Sequence, residues 1–164
     1  PPGVAMISFS ERAWEAYEEA EMPRYYFDLG AMRRYAARNQ TPATPNVAAL
    51  YGLHTSLQGM VEEGVEAIAA RHERIGAFCR QRALEVGLGL YAEPGHRSNT
   101  VTAVTLKEGM DTDEVLEELR TRYDIMCGAS KDPDVDMIRI GHMGYVTEED
   151  LDGVFDALKE IMGD

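Results

Sequence analysis

One long run of helical periodicity constrains this chain more than any other feature. From Asn46 to Val86, apolar residues recur at Val47, Leu50, Leu53, Leu57, Val61, Val65 and Ile68, the spacing that lines one face of an α-helix. An element of about forty residues exceeds what a small globular domain needs, since helices average about 11–12 residues. It therefore predicts a helix that links two domains or braces an interface, bent or loosened at Gly59 and Gly64. The segment Thr41-Pro42-Ala43-Thr44-Pro45 opens it, with Thr44 read as the N-cap and Pro45 as the first helical residue. Free backbone N–H groups, the helix dipole and the Thr44 hydroxyl together make such an end a site for one phosphate, and Thr41 lies close enough to add a second hydroxyl. The plainer reading, that Thr44 only caps its own helix, stands beside this one.

The texture differs on the two sides of the helix. Ahead of it, Val4 to Ser8 predicts a short buried strand, and Ser10 caps a helix from Glu11 to Ala20 with Ala13, Trp14 and Tyr17 on one face. Arg24 to Gln40 mixes Tyr25, Tyr26 and Phe27 with four arginines and predicts loop and short helix. Behind it, Leu88–Ala92 and Thr100–Leu106 read as strands, followed by a helix capped by Asp111 and running to Tyr123. Ile125–Cys127 and Met137–Ile140 are two further strands, separated by a polar loop containing Lys131-Asp132-Pro133-Asp134. Thr147-Glu148-Glu149-Asp150 starts a final helix through Met162 with a capping box. The order β β α β β α describes a compact, mostly antiparallel sheet covered on one face by helices.

Charge narrows the partners. With 29 acidic against 16 basic side chains the formal charge is −13, which repels phosphate backbones and anionic lipid surfaces. Aromatics interleaved with arginine at 24–40 suit either single-stranded nucleic acid or a packed interface, and the charge favours the interface. No apolar run approaches the roughly 20 residues of a membrane span. Cys79 and Cys127 stand far apart without a signal-peptide pattern, so reduced thiols in a cytoplasmic protein are expected, and no histidine has a metal-ligand spacing. Pro1-Pro2-Gly3 runs directly into the apolar Val4–Phe9, so the chain reads as part of something longer.

Arg139 sits in the apolar strand Asp136-Met137-Ile138-Arg139-Ile140, just before Gly141. An arginine there requires an anionic partner or an open face, and its planar fork matches a carboxylate through two parallel hydrogen bonds. Carboxylate recognition, an internal ion pair and simple exposure all remain open from the residues alone. His142 either lines the same pocket or is a satisfied structural histidine. Cys127 has no evident activating group and is read as an ordinary thiol.

Taken together these segments resemble the class V pyridoxal-phosphate-dependent aminotransferases, most closely the alanine-glyoxylate/serine-pyruvate branch. Pro1-Pro2-Gly3 through Ser10 resembles the segment just past the family's catalytic lysine, and Tyr26-Phe27-Asp28-Leu29 its aromatic-Asp segment. Thr41-Pro42-Ala43-Thr44-Pro45 is similar to the turn whose threonine reaches the cofactor phosphate of the neighbouring subunit. Arg139-Ile140-Gly141-His142-Met143-Gly144 is similar to the substrate-carboxylate motif. The resemblance implies an α/β fold of type I, with residues 1–63 finishing the large cofactor domain and opening the linking helix. Residues 64–164 then form an α+β small domain with a mostly antiparallel sheet. It implies pyridoxal 5′-phosphate held in part by Thr44 and Thr41, a substrate carboxylate held by Arg139, and a homodimer. The implied reaction passes an amino group between alanine or serine and glyoxylate or pyruvate. The resemblance places the catalytic lysine, the aspartate on the pyridine nitrogen and the stacking aromatic ahead of Pro1. Lys107, Lys131 and Lys159 do not match that lysine, so the chain needs the N-terminal portion of the same enzyme and is expected to be inactive alone. Two competing readings are a cysteine desulfurase or lyase of the same cofactor class, which requires an activated cysteine, and a non-catalytic α+β ligand-binding or interaction module.

Overall fold

The computed structural model describes residues 3–130 and 135–163. The chain divides into two compact units, Pro1–Glu62 and Glu63–Asp164. The expected loop Lys131–Asp134 and the first two prolines lie outside the described residues.

The first unit is helical. Helix α1 spans Glu11–Glu19, and the Ser10 hydroxyl accepts from the Ala13 N–H at 3.3 Å, as its sequence predicts. Helix α2 spans Leu29–Ala36 and is capped by Asp28, whose Oδ1 accepts from Gly30 N–H at 3.0 Å. Helix α3 runs Val47–Glu63. Among the described residues of this unit only Gly30 is buried, and the apolar side chains of Met6, Ile7, Tyr25 and Phe27 stand largely exposed. The strand expected at Val4–Ser8 does not form. Its pattern suits a sheet, but a strand exists only with a ladder partner, and the described residues of this unit contain none.

The long helix is also two helices. Gly64, at φ +85°, interrupts the pattern, and α4 begins at Val65 and runs to Glu85. Only glycine holds that φ without strain, so a break replaces the bend expected there. Gly87 at φ +80° ends α4, with Leu88 N–H returning to Ala83 C=O at 2.9 Å.

The second unit completes itself around a sheet. Strands β1 (Gly89–Leu90), β2 (Val101–Thr105), β3 (Gly128–Ala129) and β4 (Ile138–Gly141) pair antiparallel in the order β1-β2-β4-β3. Helices α5 (Thr112–Tyr123) and α6 (Glu148–Ile161) join α4 on one face. Ile75, Cys79 and Ala83 of α4, Val115 and Leu119 of α5, and Leu151, Phe155 and Leu158 of α6 meet Val104, Ile138 and Ile140 of the sheet in one core. Asp111 caps α5 through two N–H groups at 2.9 and 3.0 Å, and Thr147 with Asp150 forms the capping box of α6. The third strand falls at Gly128–Ala129, not at Ile125–Cys127, because Asp124 at φ 56° and the bond from Ile125 N–H to Leu119 C=O prolong the end of α5.

The period of two sets what each face shows. Thr102, Val104, Ile138 and Ile140 point to the helices and are buried, whereas Arg139 and Gly141 point to the open face and are exposed.

Candidate functional site on two surfaces

Thr41 and Thr44 line one open cavity of about 710 Å³ in the first unit, together with Arg24, Arg34, Tyr25 and Tyr35. Neither threonine caps α3. Asn46 does so, its Oδ1 accepting from Ala49 N–H at 3.1 Å, and Pro45 stays outside the helix. Pro42 and Pro45 stiffen the turn, and Thr41 closes it by donating its hydroxyl to the Ala43 carbonyl at 2.7 Å. Among the described residues the Thr44 hydroxyl has no such partner and remains available.

Asp28 organises the rest of that cavity. Its carboxylate accepts from the Tyr17 hydroxyl at 2.7 Å and lies 3.7 Å from Arg24 and 3.6 Å from Arg34. The Tyr17 hydroxyl, ahead of the Gly30 and Ala31 N–H groups and Arg34, holds the Asp28 carboxyl below its usual range. A Cβ on Gly30 would collide with the Tyr17 hydroxyl and ring, so a larger residue there must displace Tyr17 from Asp28. Two guanidinium groups share one carboxylate on the cavity wall, which leaves one positive charge in surplus. Sequence reading missed Arg24 and Arg34 as members of this site, since their approach to residues 41–44 depends on how α2 is anchored.

The second surface is the open face of the sheet. Arg139 pairs in register with Ala103 on one side and Gly128 on the other. Its guanidinium lies across Gly128, and among the described residues no carboxylate pairs with it. In a chain carrying −13, an arginine left without an acidic neighbour is available to an external anion. The two expected groups therefore sit on different units, Thr41 and Thr44 on the first and Arg139 on the second.

The turn after β4 is held from α4. Arg71 donates to both oxygens of Glu63, at 2.6 and 2.9 Å, and to the Gly144 carbonyl, while Gly144 N–H donates to His72 Nε2 at 3.2 Å. His72 Nδ1 lies 2.8 Å from the Ile68 carbonyl, which fixes the proton on Nδ1. His142 is 1% exposed, with Nε2 2.9 Å from Thr102 Oγ1 and Nδ1 buried without a hydrogen-bond partner, so it is a buried histidine only half satisfied. Burial pushes its pKa down, with the charge of Arg80 adding to the effect. Burial pushes the Cys127 thiol up to about 11 and the Cys79 thiol upward as well.

The residues present fit the phosphate end of pyridoxal phosphate: a free hydroxyl, a stiff turn and a surplus guanidinium face one cavity. They do not supply an amine for its aldehyde end. Lys159 is exposed on α6, Lys107 covers Gly87 with its side chain, and Lys131 lies outside the described residues. Among the described residues no group of acidic, histidine or cysteine side chains fits a metal ion, and no helix is long and apolar enough to cross a membrane.

No family model matches the chain. It is 40% identical over 152 residues to the soluble hydrogenase 42 kDa subunit of Anabaena cylindrica, covering 92% of this chain and 39% of that protein. It is 37% identical over 150 residues to the L-aspartate–glyoxylate aminotransferase of Paracoccus denitrificans, covering 90% of this chain and 38% of the relative. To the serine–glyoxylate aminotransferase of Methylorubrum extorquens it is 32% identical over 160 residues, covering 93% and 40%. The chain thus spans about two fifths of the length of the curated relatives it matches. Among solved structures, the alanine–glyoxylate aminotransferase of Nostoc sp. superposes with a TM-score of 0.88 at 24% identity, covering 94% of this chain and 42% of that one. The pyridoxamine–pyruvate aminotransferase of Mesorhizobium loti gives 0.84 at 28%, covering 94% and 41%. A cysteine desulfurase of Thermococcus onnurineus gives only 0.61 at 15%, over 76% of this chain and 34% of that one. Over nine tenths of its length the chain is thus similar to about two fifths of the length of class V pyridoxal-phosphate-dependent aminotransferases, and its fold is that of their C-terminal portion.

Proposed function

We propose that this chain supplies the substrate-carboxylate anchor and one cofactor-phosphate contact of an enzyme that passes an amino group between a small amino acid and an oxo acid. The observation that carries the reading is Arg139, exposed on the open sheet face and unpaired among the described residues of an acidic chain. Amino acid and oxo acid share only their carboxylate beside the reacting carbon, so one bidentate guanidinium serves both halves of the reaction. Its contribution is orientation, since two parallel hydrogen bonds leave the bound carboxylate little freedom to rotate. Pyridoxal phosphate, when bound, supplies the electron sink that lets the amino group leave one carbon skeleton for another. Thr44 contributes a hydroxyl to the phosphate of that group across a homodimer, and Thr41 holds the turn that presents it. The first unit serves as the end of the large domain and the second as the small domain, while the N-terminal portion of the same enzyme carries the lysine.

The desulfurase reading fares worse. It requires a thiolate, and burial pushes both cysteines of this chain the other way.

The test is made in the complete enzyme. Each charge-assisted hydrogen bond is worth about 1.5–3 kcal/mol, so Arg139→Gln should lower kcat/KM about 100-fold or more for both amino acid and oxo acid. The absorbance of the bound cofactor should stay unchanged. Arg139→Lys should recover little of the loss, because an ammonium has no fork. A glutamine variant within threefold of the parent on both substrates overturns the proposal.

A further inference from the structure

We infer that Gly128 is a positioning residue for Arg139, kept small so that the guanidinium can lie across strand β3. The inference rests on the reading of Arg139 as the carboxylate anchor and extends it to a residue that never meets the substrate.

Three observations support it. A Cβ built on Gly128 would stand 3.2 Å from Arg139 Nη2, 3.5 Å from Nε and 3.6 Å from Cζ. The guanidinium is therefore spread over the glycine, and its near edge would have to give way to a methyl group by a few tenths of an ångström. Next, Gly128 does not have positive φ, so its backbone does not demand glycine. Gly64, Gly87 and Gly144, at φ +85°, +80° and +75°, each have a conformational reason that Gly128 lacks. Finally, the residue on the other side of Arg139 in the register is Ala103, so the arginine stands between two of the smallest side chains. Cross-strand neighbours in an antiparallel pair have Cβ atoms about 4.5–5.5 Å apart, close enough for a larger residue at either place to push the guanidinium.

An alanine at 128 forces the guanidinium to move by a few tenths of an ångström or to tilt off the strand. Misplacement by about 1 Å can cost about 100-fold in rate, so a shift of this size should cost about tenfold.

A double-mutant cycle in the complete enzyme tests this, with Gly128→Ala, Arg139→Gln and the two combined. Steady-state kinetics are read on an amino acid and an oxo acid, and cofactor absorbance and thermal midpoint are read alongside. Gly128→Ala is expected to lower kcat/KM about tenfold on both substrates, with absorbance and midpoint unchanged. Added to Arg139→Gln it should do nothing further, because the group it displaces is gone. An alanine variant with parental kinetics, or one whose penalty persists in the Arg139→Gln background, overturns the inference. If Arg139→Gln itself keeps parental activity, the anchor reading has failed instead, and that outcome is separable from the other two. Should Gly128→Ala not fold, Gly128→Ala with Arg139→Ala decides: folding of the pair confirms the clash, and its failure assigns the glycine to the backbone and ends the proposal.

Discussion

Phe155 and Phe27 are the same side chain in two different situations. Phe155 is fully buried in the core of the second unit, whereas Phe27 in the first unit is 81% exposed. The contrast extends to whole units. Every buried apolar residue of the core lies between Ile75 and Leu158, and the described residues of the first unit contribute none. Both units nonetheless have well-formed local structure, with Ser10, Asp28 and Asn46 each satisfying helix N–H groups in the first. Local capping and core burial are thus separable here. The second unit is held by its own interior, and the first offers an apolar surface that its described residues do not cover.

The contrast breaks most easily at the two phenylalanines. Removing a buried phenylalanine side chain costs about 3–5 kcal/mol, so Phe155→Ala should shift urea denaturation of this chain by about that amount. Phe27→Ala should stay within about 0.5 kcal/mol, the range of exposed substitutions. In the complete enzyme Phe27→Ala should cost distinctly more than in this chain. Equal and small costs in both contexts would show that the exposed surface of the first unit is simply solvated.

The same division explains what could be read in advance. The helices and strands of the second unit lie near their expected positions because each buries its stripe within that unit, so hydrophobic period and burial agree. Val4 to Ser8 has an equally good strand pattern, yet a pattern reports what a segment is suited to bury and not whether its ladder partner is at hand. Thr44 and Asn46 are both capping residues two positions apart, and the choice between them depends on where Pro45 places the chain. Gly64 breaks a helix that its flanking residues favour, and only its positive φ tells a break from a bend. Arg139 could be singled out because an arginine amid Met137, Ile138 and Ile140 calls for an anionic partner or an open face, and the open face is what the strand gives it. Gly128 could not, since its closeness to that arginine appears only once the register sets the two side by side.

Caps offer a smaller test of the comparison. Thr147 caps α6, which carries Leu151, Phe155 and Leu158 into the core, so Thr147→Ala should lower the stability of the second unit by about 1 kcal/mol. Ser10 caps α1, which has no buried residue, so Ser10→Ala should leave the cooperative transition where it is. Its effect should appear as a slight loss of helical signal in the folded baseline. A Ser10→Ala shift as large as that of Thr147→Ala would mean the two units unfold as one.

The smallest effect at neutral pH, and the one most specific to the second unit, belongs to His142. Its folded-state pKa lies below the ordinary 6.5, chiefly because burial penalises the charged ring, with Arg80 and His72 opposing the same charge and the backbone at Asn99 partly offsetting them. The unfolded state therefore binds a proton more readily than the folded one as pH falls below about 6.5. The neutral ring's full contribution is present above that value and is lost progressively as pH drops towards the folded-state pKa. Asp28, Glu63, Glu85 and Asp150 are all held low by hydrogen bonds or arginines, so their loss comes later, as pH falls through the ordinary carboxylate range. Urea midpoints measured from pH 7.5 to 5 should therefore decline, and His142→Gln, which can still meet Thr102 but cannot titrate, should flatten that decline while leaving the fall in the carboxylate range. A variant whose midpoint declines as steeply as the parent's would move the pH response to some other group and leave His142 a neutral packing residue between β2 and α4.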